Sequence, residues 1–194
     1  PTLSVVSISS SNAAPAAVRD GDTITVTFTA SEAMAASPTC VLRPGGAAAA
    51  GTAPVVTDTS SAAGTDWTCV YTVSAQDSAG SVTFTIDGTD RAGNALVQVS
   101  STTDSSTMAV DRTVPTLSAV SIASSNVAEE AAGNGDTITV TFASSEALAA
   151  SPACVFLPGG VPTAAAAAVV TDVSAGAGTS WTCVHTVLSQ DEAG

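Results

Sequence analysis

Apolar and polar residues alternate in several short segments of this chain. In "GDTITVTF" (21–28) the apolar Ile24, Val26 and Phe28 alternate with threonines, and "SVTFTID" (81–87) has the same pattern. A period of two places successive side chains on opposite faces of a β-strand, so that one face packs in a core while the other meets water. Valine and threonine also suit a pleated, half-buried surface. These segments therefore predict strands.

Turn-forming sequences separate the alternating segments. They are "RDGD" (19–22), "RPGG" (43–46), "DSAG" (77–80) and "DRAGN" (90–94). About seven short strands with frequent turns over about 100 residues are typical of a Greek-key β-sandwich, and this all-β fold is the prediction. The predicted strands of the first part of the chain are 3–9, 22–30, 38–42, 54–58, 66–73, 81–87 and one within 95–111.

Two alanine-rich stretches, 45–51 and 163–168, could be interpreted as helices. Both are short and both follow a Pro-Gly-Gly sequence. Isolated helices of this length are marginal even when they are rich in alanine. Loops are therefore predicted at both places.

The chain contains a long internal repeat. Residues 1–80 align with 115–194 without a gap, and 52 of the 80 aligned positions are identical. A fixed period is the signature of a tandem array, and a period of 114 residues is that of a whole domain. The prediction is one domain at 1–114 and a second at 115–194, which lacks the equivalent of 81–114.

A β-sandwich without its last strands would expose core residues and open sheet edges, which seek partners. Two hypotheses follow for the second repeat. In the first, the native polypeptide continues in a long fibre-like protein. In the second, another subunit donates the missing strands, and this head-to-tail contact builds a filament.

The amino-acid composition limits which residues can fill the core and which classes of partner the chain can bind. Hydrophobic residues make up 45% of the chain but aromatic residues only 4%, so Val, Ile, Leu, Ala and Thr must fill most of the core around Trp67 and Trp181. Seventeen acids face four arginines, and there is no lysine, which gives a net charge of −13. Binding to nucleic acid or to anionic lipid needs clustered cations, so the sequence argues against both. No apolar run approaches the roughly 18 residues of a membrane span.

Several motifs together resemble the Ig-like repeats of large bacterial and algal surface proteins. They are "GDTITVTFTASEA", Trp67 ahead of "YTV", "QDSAGSVTFTIDGTDRAGN" and the junction "VDRTVPTL" (110–117). The likeness extends over nearly the whole chain and is most specific at "DRAGN" (90–94) and at the junction. It implies tandem Ig-like sandwiches in an extracellular array that spaces, stiffens or adheres, and it identifies no ligand.

Each repeat carries two cysteines, separated by 29 positions: Cys40 and Cys69, then Cys154 and Cys183. Four cysteines allow three connectivities, and pairing across the repeats is one of them. The repeat copies the two cysteines as a set, which favours one disulfide within each unit. Disulfides imply an oxidising compartment. A zinc site is disfavoured because the chain has no C-x-x-C and a single histidine.

The sequence offers little for catalysis, and no enzyme activity and no cofactor are predicted. The one histidine, His185, aligns with Tyr71 of the first repeat, which indicates a side chain that fills space rather than a general base. Nucleophilic catalysis needs a nucleophile, a base and a group that orients the base. The chain has no G-x-S-x-G nucleophile elbow and no glycine-rich phosphate loop.

The acids near the junction raise the question of calcium. Asp87, Asp90, Asp111 and Glu146 could supply carboxylate oxygens to a Ca²⁺ ion that stiffens the junction. In the simpler interpretation, Asp87 and Asp90 close turns through Asx hydrogen bonds and the other acids keep the surface solvated. The closely spaced acids of a dedicated calcium loop are missing.

The chain is predicted to carry no N-linked glycan, because none of its four asparagines is followed by x-Ser/Thr. Serines and threonines near prolines leave O-linked glycans open in a secreted chain.

The functional prediction is an extracellular structural repeat protein at the cell surface, a building block of a stalk, fibre or filament whose partners are further copies of the repeat. The alternative is an adhesin whose array is a spacer with calcium-rigidified junctions. A carbohydrate-binding module is a weaker third hypothesis, because most of the few aromatic side chains are needed in the core.

Overall fold

The alternating segments form strands in the structure, a computed structural model that describes residues 1–12, 16–61, 64–128, 131–157, 168–176, 178–189 and 191. The chain divides into unit 1, Pro1–Thr113, and unit 2, Val114–Gly194. This boundary lies one residue before the end of the first sequence repeat. The described residues contain strands and one short 3₁₀ helix, so the predicted all-β class is confirmed.

The described residues of unit 1 contain nine strands and the 3₁₀ helix. The strands are β1 (Leu3–Ser10), β2 (Ala17–Val18), β3 (Thr23–Ala30), β4 (Thr39–Arg43), β5 (Val55–Asp58), β6 (Asp66–Thr72), β7 (Gly80–Ser81), β8 (Thr83–Asp87) and β9 (Ala109–Val110), and the helix is Pro44–Gly46.

The strands of unit 1 form one large sheet and two small ones. The large sheet has the order β1-β3-β6-β5, and all of its neighbouring strands are antiparallel. A two-stranded sheet pairs β4 with β8, and a three-stranded sheet has the order β2-β9-β7, with β2 parallel to β9. Side chains from the large sheet and from both small sheets meet in one hydrophobic cluster. This arrangement is that of a β-sandwich.

The period of two decides which side chains enter this core. In β3 the buried residues alternate with half-buried threonines, and in β4, β6 and β8 buried residues alternate with half-buried or exposed ones. The fully buried side chains include Tyr71, Phe28, Ile24, Leu42, Ile86, Val6, Val18, Val26 and Val73. Apart from Phe28, Trp67, Tyr71 and Phe84, this core is built mostly from aliphatic side chains.

A bulge interrupts the alternation in β1. Its register against β3 shifts between Ser4 and Ser7, and Val5 adopts a φ of +52° at that point. Val5 is exposed, whereas Val6 is fully buried. The two successive valines thus mark the place where the strand changes the face that it buries. Unit 2 repeats the bulge at Ala119, with a φ of +49°.

The end of unit 1 differs from the sequence prediction. The segment 81–87 does not form one strand, because Gly80–Ser81 pairs with β9 whereas Thr83–Asp87 pairs with β4. The chain therefore changes sheets at Val82. The strand predicted within 95–111 is only two residues long, and isolated bridges at Ala95 and Val99 precede it. In the alanine-rich stretch 45–51, the first two residues belong to the 3₁₀ helix and the others form the predicted loop. Most of the second stretch, 163–168, lies outside the described residues.

Unit 2 repeats the large sheet. Its strands are β10 (Leu117–Ser124), β11 (Thr137–Ser144), β12 (Val169–Asp172) and β13 (Ser180–Thr186), in the order β10-β11-β13-β12. The pairing registers match those of unit 1, since Val140 faces Cys183 as Val26 faces Cys69. Among the described residues of unit 2, the buried hydrophobic cluster contains Phe142, Trp181 and Cys183, with partly buried neighbours.

Candidate functional site

A disulfide joins the two layers of unit 1. Cys40 on β4 bonds to Cys69 on β6, with 6.4 Å between their Cα atoms. Both cysteines are buried, and Cys69 shares its strand face with Trp67 and Tyr71. Because β4 and β6 belong to different sheets, the bond crosses the core and ties the two layers together.

Unit 2 contains the equivalent disulfide between Cys154 and Cys183, again with 6.4 Å between the Cα atoms and 29 positions between the residues. Both disulfides therefore join two cysteines of the same unit. Trp181 lies on β13 as Trp67 lies on β6, and both side chains are buried. Each indole N–H donates to a backbone carbonyl three residues earlier, at 3.1 Å in unit 1 and 3.2 Å in unit 2.

A buried polar network lies at one end of β6. The Tyr71 hydroxyl donates to Oδ2 of Asp77 at 2.7 Å, and Asp77 is only 4% exposed. Oδ2 also accepts from the Ser74 N–H at 2.8 Å, while Oδ1 accepts from the Ala50 N–H at 2.8 Å. A carboxylate with three donors is well satisfied, so this network fastens two loops to the end of the sheet.

Arg112, in the junction sequence, fastens the chain to the same loop. Its Nε donates to the Asp77 carbonyl at 2.8 Å and its Nη2 donates to the Ser74 carbonyl at 2.6 Å. Burial alone would raise the pKa of Asp77. The hydrogen bonds from Ala50, Tyr71 and Ser74, with the charge of Arg112, outweigh it and lower that pKa below its ordinary value. Burial, followed by the hydrogen bond to Asp77, raises the pKa of Tyr71.

Unit 2 builds the same contact with a different side chain. His185 stands where unit 1 has Tyr71, and its Nε2 lies 3.1 Å from Oδ2 of Asp191. The imidazole is 3% exposed and stacks on Phe156 with 5.3 Å between the ring centroids. The Leu188 N–H and then His185 lower the pKa of Asp191. His185 thus occupies an interior position equivalent to that of a structural tyrosine.

The "DRAGN" segment forms a loop closed by its own aspartate. Oδ1 of Asp90 accepts from the N–H groups of Ala92 and Asn94, both at 2.8 Å, and Oδ2 accepts from Nδ2 of Asn94 at 2.7 Å. Gly93 has a φ of +88°, which a side chain would strain. The hydrogen bonds from Asn94 lower the pKa of Asp90. This is the Asx turn of the simpler interpretation of Asp90.

The remaining three acids of the calcium hypothesis have different surroundings. Asp87 does not close a turn, because its carboxylate accepts from Nε2 of Gln98 at 2.9 and 3.1 Å. Asp111 accepts from the Thr113 N–H at 2.9 Å. Oε1 of Glu146 is buried without a hydrogen-bond partner in the described part of the chain. Over the same residues, no group of three or more His, Cys, Asp or Glu is placed to hold a metal ion.

The part of the large sheet's inner face that β1 provides is covered in unit 1, whereas the equivalent part on β10 is exposed in unit 2. Val6 and Ile8 on β1 are 0% and 6% exposed, whereas their equivalents Val120 and Ile122 on β10 are 64% and 71% exposed. In unit 1 the segment 81–113 lies over this face. It has no counterpart within residues 115–194.

The sequence did not single out the most connected polar residues, Asp77 and Arg112. A signal was available: the repeat exchanges Tyr71 for His185 but keeps an aspartate six residues later, at Asp77 and Asp191. When the repeat exchanges one hydrogen-bonding side chain for another but keeps the carboxylate, a contact between that side chain and the carboxylate is indicated.

Comparison with known proteins gives no family for this chain: no protein-family model matches it, and no curated protein matches it. Within the described ranges, no helix has the length and apolar character that crossing a membrane requires.

Proposed function

We propose that this chain is an extracellular structural repeat protein, a building block of a surface stalk, fibre or filament. The observation that carries the proposal is the duplication of a β-unit together with its own disulfide, which ties two strands across the core in unit 1. A domain copied with its covalent crosslink suits a serial element that bears tension. Its partners in this function are other copies of the repeat.

We further propose that each unit is an Ig-like Greek-key sandwich. If β1, β3, β6 and β5 are taken as strands A, B, E and D, the order of the large sheet corresponds to the A-B-E-D sheet of a constant-type Ig domain. The disulfide departs from the antibody pattern, which joins strands B and F. Here it joins β4, which would be strand C, to β6, which would be strand E.

The disulfides also support an extracellular location. Disulfides persist in oxidising compartments and are rare where thiols are kept reduced. Cys69 and Cys183 are fully buried, Cys40 is buried and Cys154 is partly buried. Serine- and threonine-rich surfaces near prolines leave room for O-linked glycans in such a location.

The crosslink has a mechanical consequence. When unit 1 is pulled from its ends, the chain between Cys40 and Cys69 cannot extend while the bond is intact. The junction is also short, with six residues between Val110, at the end of β9, and Leu117, at the start of β10. Arg112 fastens the beginning of this junction to the loop at Ser74 and Asp77. A short, anchored connection suits a regular spacing of units.

The experiment that tests this proposal is localisation in the source cells. Antibodies against the purified 194-residue chain, used with immunogold electron microscopy, should label extended material outside the cell. Immunoblots without reducing agent should show faster migration than reduced samples, because native disulfides keep the denatured chain compact. Label confined to the cytosol, or free thiols in freshly isolated protein, would contradict the proposal.

A further inference from the structure

We propose that Asn134 is a deamidation site, where the side-chain amide is converted to a carboxylate when the β-turn around it opens. Asparagine is a thermolabile residue. It deamidates most readily when glycine follows, because glycine has no side chain to hinder attack by its own backbone nitrogen. Asn134 precedes Gly135, whereas the other three asparagines of the chain precede alanine or valine. This chemistry does not depend on the array proposed above.

The reaction needs only water and groups of the chain itself. The backbone nitrogen of Gly135 loses its proton and attacks Cγ of Asn134, so that a new C–N bond forms. The C–N bond of the carboxamide breaks, and its nitrogen leaves with a proton as ammonia. Water then opens the five-membered succinimide ring and returns a proton to the Gly135 nitrogen. Opening at one carbonyl gives aspartate, and opening at the other gives isoaspartate, in which the main chain runs through the side-chain carbons.

The side chain of Asn134 is accessible to water. Asn134 is exposed, and so are Gly133 and Gly135 on either side of it. No described residue forms a hydrogen bond with its carboxamide. The position that a Cβ atom of Gly135 would occupy has no atom of the described residues within 4 Å, apart from its chain neighbours. Neither the electrophile nor the nucleophile is therefore shielded by other side chains.

Hydrogen bonds hold the nucleophile in a closed turn. The Gly135 N–H donates to the Val187 carbonyl at 2.9 Å, and the Val187 N–H donates to the Asp136 carbonyl at 2.8 Å. The Asp136 N–H closes the turn by donating to the Gly133 carbonyl at 3.0 Å. Because the proton of Gly135 is engaged in the closed turn, the nitrogen must leave its partner before it can attack. The reaction therefore proceeds from a locally opened state.

The carboxylate of Asp136 fastens the turn to the chain that follows β10. Its Oδ2 accepts from the Gly133 N–H at 2.7 Å and from Nδ2 of Asn126 at 2.9 Å. Hydrogen bonds to an ionised group are stronger than those between neutral groups. Removal of this carboxylate should therefore increase the population of the open turn without changing Asn134 or Gly135.

Unit 1 shows that the closed turn accepts an aspartate. Asp20 stands where unit 2 has Asn134, and Gly21 stands where unit 2 has Gly135. The Gly21 N–H donates to the Val73 carbonyl at 3.0 Å, and its φ of +85° is close to the +91° of Gly135. The aspartyl product of deamidation can therefore keep the turn closed.

The isoaspartyl product does not fit the same turn. It adds a methylene group to the main chain between residues 134 and 135, which displaces the Gly135 N–H from the Val187 carbonyl. This hydrogen bond lies beside the pairing of Thr137 with Thr186. Its loss loosens the end of β11 against β13, so that each isoaspartate is a lasting covalent record of an opened turn.

The test follows the four asparagines of the complete 194-residue chain by peptide mass spectrometry during incubation at neutral pH. We expect Asn134 to convert at least tenfold faster than any other asparagine. A synthetic peptide of residues 131–138 lacks the Val187 partner and is the reference for the open turn. Asn134 should react at least tenfold more slowly in the folded chain than in this peptide. An isoaspartyl methyltransferase assay identifies the isoaspartyl product.

Two variants distinguish opening of this turn from a general loosening of the chain. Asp136→Ala removes the carboxylate that fastens the turn and should speed conversion of Asn134 at least tenfold, after correction by a peptide with the same substitution. Asp22→Ala makes the equivalent change in unit 1, where Oδ2 of Asp22 accepts from the Arg19 N–H at 2.9 Å. This matched control should leave the rate at Asn134 within twofold. Trp181 fluorescence reports whether unit 2 is folded in each variant.

Hydrogen exchange gives a second measurement that needs no variant. The Gly135 amide exchanges its proton only from the open turn, as deamidation does. The factor by which folding slows this exchange should therefore agree within threefold with the factor by which it slows deamidation of Asn134.

Five results would overturn the inference. They are a chain in which Asn134 stays unconverted, equal rates in the peptide and in the folded chain, another asparagine that converts as fast as Asn134, no acceleration by a folded Asp136→Ala variant, and equal acceleration by both variants.

Discussion

The Cys40–Cys69 disulfide offers the most quantitative test of how unit 1 is stabilised. The bond joins β4 to β6 across the core, and both sulfur atoms belong to buried residues. Replacing both cysteines with alanine removes the crosslink without leaving a free thiol or a buried hydroxyl. Any decrease in the unfolding free energy of Cys40→Ala/Cys69→Ala then measures the contribution of the crosslink and, to a smaller extent, that of the packing of two sulfur atoms.

The expected loss follows from the size of the closed loop. For a separation of 29 residues, the chain-entropy relation gives about 3.6 kcal/mol at 25 °C, through the conformational freedom that the unfolded chain regains. The missing sulfur atoms add to this loss. A decrease of about 3–5 kcal/mol is a large part of the stability of an ordinary domain.

The chain provides a separate reporter for each unit, because each contains one buried tryptophan. In a Trp181→Phe background, urea unfolding followed by fluorescence monitors Trp67 and therefore unit 1. The matched control, Cys154→Ala/Cys183→Ala in the same background, should leave the Trp67 transition within about 0.5 kcal/mol, the usual limit for independent sites, since both of its cysteines belong to unit 2. A loss below about 1 kcal/mol from the unit 1 pair, or an equal loss from both pairs, would refute this reasoning.

Three further predictions concern the polar network, acid stability and the two inner faces. Tyr71→Phe removes a donor to Asp77 and the acceptor of the Gly51 N–H. The unfolding free energy of unit 1 should therefore fall by about 1–2 kcal/mol in urea titrations. An unchanged unfolding free energy would contradict the role of this hydroxyl. Hydrogen bonds lower the pKa of Asp77 and of Asp90 in the folded state. The contribution of these two carboxylates to the free energy of unfolding is therefore complete above the unfolded pKa of about 3.9, and it is lost as the pH falls through the folded pKa values. Asp90→Asn should then flatten the acid limb of a profile of stability against pH. An unaltered limb would contradict the assignment. Ile8→Asp, at a buried position, should lower the unfolding free energy of unit 1 by more than about 3 kcal/mol. Ile122→Asp, at an exposed position, should leave the unfolding free energy of unit 2 within about 0.5 kcal/mol, measured by Trp181 fluorescence. Comparable losses in the two variants would show that the face of β10 is covered.

The strands were the part of the fold that local sequence could predict. Side-chain alternation in Ile24, Val26 and Phe28 depends only on the pleat of a strand, and the structure buries all three. The predicted limits of the longer strands lie within one or two residues of those observed, since turn-forming residues end them. The within-unit disulfides were favoured because duplication keeps a pair of bonded residues together.

The parts that sequence missed depend on contacts distant along the chain. Val82 lies inside an uninterrupted alternating run, and only the competing partners β9 and β4 divide that run into two strands. The network of Asp77 joins residues from 50 to 112, and no local pattern brings them together. The calcium hypothesis grouped acids by their nearness to the junction, and it stays a prediction. The structure adds the donors that these acids have in its described part: Gln98 for the carboxylate of Asp87, and Ala92 and Asn94 for that of Asp90.

Single-molecule stretching of the 194-residue chain, with and without a reducing agent, tests directly whether each unit is a separate element clamped by its own disulfide. We expect separate extension events for the two units. Reduction should lengthen the unit 1 event by about 100 Å, the span of the 29 residues released at about 3.5 Å per residue. A single event for the whole chain, or an extension that reduction does not change, would contradict it.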